Sequence, residues 1–193
     1  MNMDSIYKYI RENLSEKRFR HTMGVVKTAK ELAAVYGADM EKAEFAALAH
    51  DMFKMKDIEK SDAYVRKLGL GDYYLGKLNL AHGRIAAEIL KREYSADEDI
   101  VNAVKYHTTG RADMSLLEKI IYLADAIEPS RDYPGVETLR ELAPIDLDEA
   151  CLLSMERTVE FLQKKGSEID SDTLEARDYL NERKKIREQE INR

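Results

Sequence analysis

Residues 46–54 read Ala-Ala-Leu-Ala-His-Asp-Met-Phe-Lys, and the interpretation of the whole chain starts from this stretch. Ala46 and Ala47 share one face of a predicted helix with His50, and their small side chains let a neighbouring helix approach closely. Adjacent residues on a helix point about 100° apart. His50 and Asp51 can therefore reach one ion together only from the last helical turn or just beyond it. An aspartate at that position has two oxygens with which to bridge two metals.

The other histidines and one further aspartate fall in similar places. The chain has four histidines. His21, His82 and His107 each share a helix face with apolar residues three, four or seven positions away, as His50 does. Asp125 lies on another such face. We therefore expect all five side chains to point inward or toward a cleft.

The pattern along the rest of the chain predicts an all-α protein. Glycine is scarce at nine and proline rarer at three, and apolar residues recur with a helical period. Ser15 and Gly37 bracket the second helix, and Ser115 with Glu118 forms a capping-box pattern. We expect one domain over 1–193, with a core at about 15–165 and a C-terminal helix at about 172–190. The expected helices cover 5–13, 16–36, 40–50, 58–68, a segment that follows residue 82, 97–107, 115–128, 147–165 and 173–190.

Composition narrows the class of protein. Hydrophobic residues make up 44% and charged residues 35%, which is typical of a soluble globular chain. The net charge of -6 implies no broad basic surface for nucleic acid. No stretch is long and apolar enough to span a membrane, and no signal peptide is expected. The single cysteine, Cys151, lies in an apolar run, which predicts a buried structural thiol and a cytoplasmic location.

The histidines and aspartates allow two interpretations. Taken singly, a histidine on an apolar face is more often a core residue bonded to a carbonyl, and an inward aspartate is more often a cap or half of an ion pair. Taken together, each would need its own partner, since an unpaired buried polar group costs about 1–3 kcal/mol. One shared metal centre would satisfy them all. The residue types permit Fe, Mn, Co, Ni or Zn.

Six segments carry a resemblance that covers nearly the whole chain. They read RFRHTMGV (18–25), AALAHDMFK (46–54), LAHG (80–83), YHTTG (106–110), ADAIEPSRDYPGV (124–136) and DTLEAR (172–177). In this order they resemble the HD-domain metal-dependent phosphohydrolases, and most closely the YqeK-type group of symmetrical diadenosine tetraphosphate hydrolases. The Glu128-Pro129 and Arg131 segment is what narrows the resemblance to this group.

The resemblance implies a single HD-domain helical bundle with a metal site between its helices. It suggests iron, one or two ions, as cofactor and diadenosine tetraphosphate, cleaved to two ADP, as substrate. The implied ligands of one metal are His21, His50, Asp51 and Asp125. A second metal, or phosphate and water, would be held by His82 and His107. The expected catalytic residues are Asp51, Lys54, His82 and His107. The expected substrate contacts are His21, Lys54, His82, Gly83, His107, Thr108, Thr109, Asp125 and Arg131.

Cations near this set are expected to offset the charge of a polyphosphate. Lys54 would act as a point charge and Arg131 as a fork on two phosphate oxygens. The plainer interpretation makes Lys54 a solvated helix-end cation and pairs Arg131 with Asp132 or Glu128. Arg18 is a weaker candidate, more typical of a surface residue. Four tyrosines are considered for stacking on adenine, namely Tyr73, Tyr74, Tyr106 and Tyr133.

Other functions remain open from the sequence. One is an HD phosphohydrolase that acts on another nucleotide, and another is a di-iron HD oxygenase, which the six-ligand set also fits. A third is a nucleotide- or metal-binding regulator without catalysis, and the last is a purely structural helical protein. Whether the protein forms a homodimer is also left open.

Overall fold

The computed structural model describes residues 2–191, and this part of the chain is all-α, without a strand. A 3-10 turn at Asp72–Tyr74 separates α4 from α5. The helices are α1 (Met3–Asn13), α2 (Glu16–Tyr36), α3 (Met40–Ala49), α4 (Ile58–Leu68), α5 (Leu78–Glu93), α6 (Glu98–Tyr106), α7 (Leu116–Ile127), α8 (Val136–Leu142), α9 (Leu147–Lys164) and α10 (Ser171–Ile191).

Capping residues determine both ends of α2 and the start of α7. Ser15 accepts a backbone hydrogen bond at the start of α2, and Gly37 ends that helix in the left-handed conformation. The capping box of Ser115 and Glu118 forms at the start of α7. These local contacts confirm the predicted start and end of α2 and the predicted start of α7.

Three helix predictions need correction, and each error comes from a missing or misread cap. α5 begins at Leu78, before His82, and its first residue follows Lys77, whose side chain makes no cap. α8 was not predicted, since Gly135 precedes it without a capping side chain. At the start of α10 it is Asp170 that accepts the N–H of Asp172, at 2.9 Å. Asp172 itself pairs with Arg84.

The hydrophobic core surrounds α7, which contacts α2, α3, α6, α8 and α9. Ile120, Ile121 and Leu123 of this helix are fully buried. Cys151 is also buried, as predicted, and burial raises the pKa of its thiol. Within residues 2–191, no helix combines the length and apolar character that crossing a membrane requires. The position of α7 brings its polar residue Asp125 close to the ends of several other helices.

Candidate metal centre

Five elements bring the predicted residues together. α2 carries His21, the end of α3 places His50 and Asp51, α5 carries His82, and His107 caps α6. The four imidazoles and Asp51 are buried. α7 adds Asp125. The prediction that these side chains converge is confirmed.

Asp51 lies between two sets of imidazoles. Its Oδ2 atom lies 3.7 Å from Nε2 of His21 and 3.5 Å from Nε2 of His50. Its Oδ1 atom lies 3.1 Å from Nε2 of His82 and 3.8 Å from Nε2 of His107. Each set is compact enough to hold a metal ion. The carboxylate of Asp51 is thus shared between two adjacent candidate positions.

Asp125 joins the first set from the open side of the site. Its Oδ1 atom lies 3.0 Å from Nε2 of His21 and 3.9 Å from Nε2 of His50. The Asp125 side chain is 21% exposed, whereas that of Asp51 is 3% exposed. The first set therefore has two imidazoles and two carboxylates, and one of those carboxylates faces solvent.

The hydrogen bonds of the imidazoles leave their Nε2 atoms for a ligand. Nδ1 of His50 lies 2.7 Å from the carbonyl of Ala47, and Nδ1 of His107 lies 2.7 Å from that of Val104. Each Nδ1 therefore donates, which leaves the lone pair on Nε2. The Nε2 atom of His50 is buried without a hydrogen-bond partner, and that of His21 lies close to Asp125 but in a geometry that makes no hydrogen bond. Such a donor set fits a divalent transition metal.

Charge in the site is distributed as metal binding requires. Burial opposes ionisation of Asp51, yet His50 and His82 hold its pKa well below the ordinary value. Burial lowers the pKa of His82, and it lowers that of His107 to about 3. At neutral pH the Asp51 carboxylate is charged and His82 and His107 are neutral, which are the protonation states of metal ligands. Asp51 raises the pKa of His50 despite its burial, as expected of an imidazole beside an anion that no metal neutralises.

Three cations surround the cluster. Nζ of Lys54 lies 3.2 Å from Nε2 of His82, and burial lowers the pKa of this amine. Nη2 of Arg131 donates to Oδ1 of Asp125 at 2.5 Å, and Nε of Arg131 lies 3.9 Å from Oε1 of Glu128, so the expected pair with Glu128 is present as the looser of the two.

Arg18 is the third cation and the one that the sequence placed on the surface. Its Nη1 donates to Oδ2 of Asp51 at 2.7 Å. Its position three residues before His21, on the same face of α2, was the available signal. Glu128 is a further residue of the site, for which the sequence predicted no role at the metal centre. It contacts His21. The available signal was its position three residues after Asp125.

A cleft of about 1200 Å³ opens beside the cluster. Lys54, His107, Asp125 and Arg131 line it together with Thr108 and Thr109. Thr108 places its hydroxyl 3.1 Å from Nε2 of His107, whereas the hydroxyl of Thr109 donates to the carbonyl of Gly110. The cleft thus brings the predicted cations and both threonines to one open face.

Gly83 and the tyrosines were also predicted near the substrate. Gly83 is buried inside α5 rather than at a helix end, and a Cβ there would lie 3.0 Å from Cε1 of His107 and 3.0 Å from the carbonyl oxygen of Val104. Gly83 thus allows α5 to pack closely on α6 and on the ring of His107. Of the tyrosines, Tyr133 lines the cleft, while Tyr74 and Tyr106 contact Arg84.

Several known proteins are similar to this chain in sequence, and one solved structure is similar to it in fold. The HD domain family model matches residues 18–130. Symmetrical bis(5'-nucleosyl)-tetraphosphatases from Halalkalibacterium halodurans and Bacillus subtilis are 44% and 40% identical, over 90% and 93% of this chain and 94% and 98% of theirs. A crystal structure from Clostridium acetobutylicum, described as an HD superfamily hydrolase involved in NAD metabolism, is 44% identical with a TM-score of 0.89. The aligned region covers 95% of this chain and 98% of the chain in that crystal structure.

Proposed function

The chain belongs to the HD domain family, and from this membership and its relatives we propose that it is a symmetrical bis(5'-nucleosyl)-tetraphosphatase. The reaction is hydrolysis of diadenosine tetraphosphate at its midpoint to give two ADP. One observation carries the proposal: Asp51 is shared between two imidazole sets, and the cluster they form lies beside a cleft lined by Lys54 and Arg131.

The geometry of the cluster supports the proposed ligands. His21, His50, Asp51 and Asp125 hold one metal. The metal proposed is iron, with Mn, Co, Ni or Zn as substitutes, since the donor set accepts each of them. When bound, a metal in this set supplies activation of water near neutral pH and polarisation of a phosphoryl oxygen.

His82 and His107 form the second half of the site. Their Nε2 atoms lie 2.9 Å apart. Both Nδ1 atoms lie within reach of backbone carbonyls, at 3.2 Å for His82 and 2.7 Å for His107. Two Nε2 lone pairs at this separation need a shared proton or a metal cation that both nitrogens contact. We assign this pair to a second metal, or to water and phosphate oxygens.

The cations of the cleft bind the polyphosphate. Arg131 presents a planar guanidinium that can contact two phosphate oxygens, and Lys54 presents a compact charge beside His82. A protein with a net charge of -6 needs such local cations to bind a polyanion. Thr108 and Thr109 line the same cleft and contribute further polar contacts. Gly83 stays a predicted substrate contact, since it lies directly beside the ring of His107.

Location and partners complete the proposal. We propose a cytoplasmic protein, because the single cysteine, Cys151, is buried and unpaired, as suits a reducing compartment. Its partner is the small nucleotide rather than nucleic acid.

Product analysis on metal-loaded protein tests the function. Protein reconstituted with Fe or Mn is incubated with diadenosine tetraphosphate, and nucleotides are separated by chromatography. ADP as the sole product is expected. A mixture of ATP and AMP would overturn the symmetrical assignment. Tight binding of ADP without any turnover would favour a regulator instead, and strict dependence on oxygen would favour an oxygenase.

A further inference from the structure

Glu128 lies behind His21, on the opposite side of the ring from the metal ligands. Its Oε1 atom is 3.0 Å from Nδ1 of His21, while Nε2 of the same ring faces Asp51 and Asp125. Glu128 is 1% exposed. A buried carboxylate thus contacts the one ring nitrogen of His21 that cannot reach the metal position.

Three donors hold this carboxylate in place. Ser130 donates its backbone N–H to Oε2 at 2.7 Å and its hydroxyl to Oε1 at 2.5 Å, and His21 supplies the third. A proton on Nδ1 of His21 is donated to Oε1 of Glu128, which leaves the Nε2 lone pair for a metal ion.

Gly24 provides the space that Glu128 occupies. A Cβ at this position would lie 2.4 Å from Oε2 and 3.2 Å from Cδ of Glu128. Gly24 lies within α2, where glycine costs about 0.5–1 kcal/mol relative to alanine. The helix therefore bears that cost at the point where the carboxylate of Glu128 meets it.

We propose that Glu128 is a positioning residue of the metal centre that orients the ring of His21, and that Gly24, which has no Cβ, leaves the space that the Glu128 carboxylate occupies. The inference rests on the metal centre of the proposed function. His50 and His107 donate Nδ1 to carbonyls of their own helices, whereas His21 has an anionic partner from α7. A carboxylate on the distal nitrogen both orients a ligand and raises its basicity.

Glu128→Gln is the isosteric test. An amide has one acceptor oxygen, so it cannot accept from both Ser130 and His21 without placing its NH₂ against one donor. We expect the dissociation constant for Mn²⁺, measured by chelator competition without substrate, to rise about 10–100-fold. The matched control is Glu118→Gln, an equally buried carboxylate on the same helix that pairs with Arg111. The control is expected to keep wild-type metal affinity.

The Nδ1–H of His21 gives a readout that a merely structural role would not change. With Zn²⁺ bound, proton NMR should show the Nδ1–H resonance of His21 shifted downfield by its hydrogen bond to the Glu128 carboxylate. In Glu128→Gln we expect this resonance to move upfield, because a neutral amide is a weaker acceptor than a carboxylate. An unchanged resonance and unchanged Mn²⁺ affinity in a folded Glu128→Gln protein would overturn the proposal.

Gly24→Ala tests the opening independently. Its Cβ displaces the carboxylate of Glu128, so metal affinity should fall as in Glu128→Gln. In a Glu128→Ala background the same substitution should cost no further affinity, because the group that it displaces is gone. Additive losses would contradict the proposal. Protein that binds Mn²⁺ with the expected variant pattern but leaves diadenosine tetraphosphate intact would refute the proposed function alone.

Discussion

At the scale of single residues, Asp51 joins the two halves of the site. α3 ends at Ala49, and His50 follows as its cap, so Asp51 lies just beyond the helix. This is the position that the adjacency of His50 and Asp51 required for both to face one ion. The two oxygens of one carboxylate then face different imidazole pairs, which no other residue described in the structure does.

Replacing Asp51 should therefore remove both metal positions. We expect Asp51→Asn to lose bound metal and at least about 100-fold in kcat, since a shared first ligand matters no less than its supporting residues. Elemental analysis and the rate of ADP release measure the two effects, and far-UV circular dichroism should stay near that of the wild type. Activity that survives this change would place the site elsewhere.

Lys54 should affect the substrate and leave the metal in place. Lys54→Ala removes a cation that lies 4.0 Å from Oδ1 of Asp51. We expect KM for diadenosine tetraphosphate to rise or kcat to fall, with wild-type metal content. Steady-state kinetics with Lys56→Ala, an exposed lysine two residues on, serves as the matched control. Loss of metal from Lys54→Ala would contradict its assignment to phosphate.

His107 should make the metal-free protein sensitive to acid. Burial lowers the pKa of His107 to about 3 from an ordinary 6.5, so below pH 6.5 the unfolded chain binds a proton that the folded protein does not. As the pH decreases below 6.5, this group therefore lowers the free energy of unfolding by up to about 1.4 kcal/mol per pH unit.

Between pH 6.5 and 5.5 the wild type should lose about 1 kcal/mol more than His107→Gln. His50, whose pKa is raised despite its burial by the nearby Asp51, acts in the opposite direction but is present in both proteins. Urea unfolding of the metal-free proteins at the two pH values measures the difference. Equal losses in both would exclude a neutral, buried His107.

At the scale of elements, the C-terminal helix depends on specific polar contacts. Only Thr173, Ala176 and Leu180 of α10 are buried. Arg84 of α5, itself buried, pairs with Asp172 at the start of α10 and lies 4.5 Å above the ring of Tyr106. The first turn of α10 also lines the active-site cleft through Thr173. Docking of this helix thus completes the wall of the cleft.

Arg84→Gln should loosen α10. Breaking a buried ion pair costs about 3–5 kcal/mol, and we expect about 2 kcal/mol here because the Asp172 side chain is 29% exposed. Chemical unfolding and limited proteolysis of α10 measure the effect. Lys184→Ala, which removes the more exposed pair with Glu149, should cost under about 1 kcal/mol. Equal costs for the two variants would contradict this account.

At the scale of the whole molecule, folding brings together groups of opposite charge that are far apart in the sequence. The protein has a net charge of -6, yet Arg18, Lys54 and Arg131 lie around one cluster that contains the buried Asp51 and the half-buried Asp125. The imidazoles converge through their Nε2 atoms, while their Nδ1 atoms contact backbone carbonyls or Glu128. Such a cluster is most stable when a cation neutralises the aspartates and binds the free Nε2 atoms.

Metal removal should therefore lower the thermal stability of the molecule. Metal present at a hundred times its dissociation constant adds about 2.7 kcal/mol to the free energy of unfolding. For a chain of this size that corresponds to a Tm higher by about 5–10 °C than after treatment with a chelator. Thermal unfolding followed by circular dichroism checks this, and Asp51→Asn should show no such shift. Equal Tm values with and without metal would contradict a metal centre.

The local pattern of the chain was enough to predict most helices and the inward side of each. Ser15, Gly37 and Ser115 end or begin helices through contacts within a few residues, and a period of 3.6 places each histidine on an apolar face. The members of the cluster could be named for the same reason. The start of α5 was predicted wrongly and α8 was not predicted, because neither helix begins with a capping side chain.

Only the tertiary structure decided how these members pair. The division of Asp51 between two imidazole sets, the contact of Arg18 with Asp51 and the place of Glu128 behind His21 depend on where helices cross. Gly83 shows the same dependence, since its role is the approach of α5 to α6. Periodicity determines the direction of a side chain from its own helix, but distances between helices follow from the packing of the whole core.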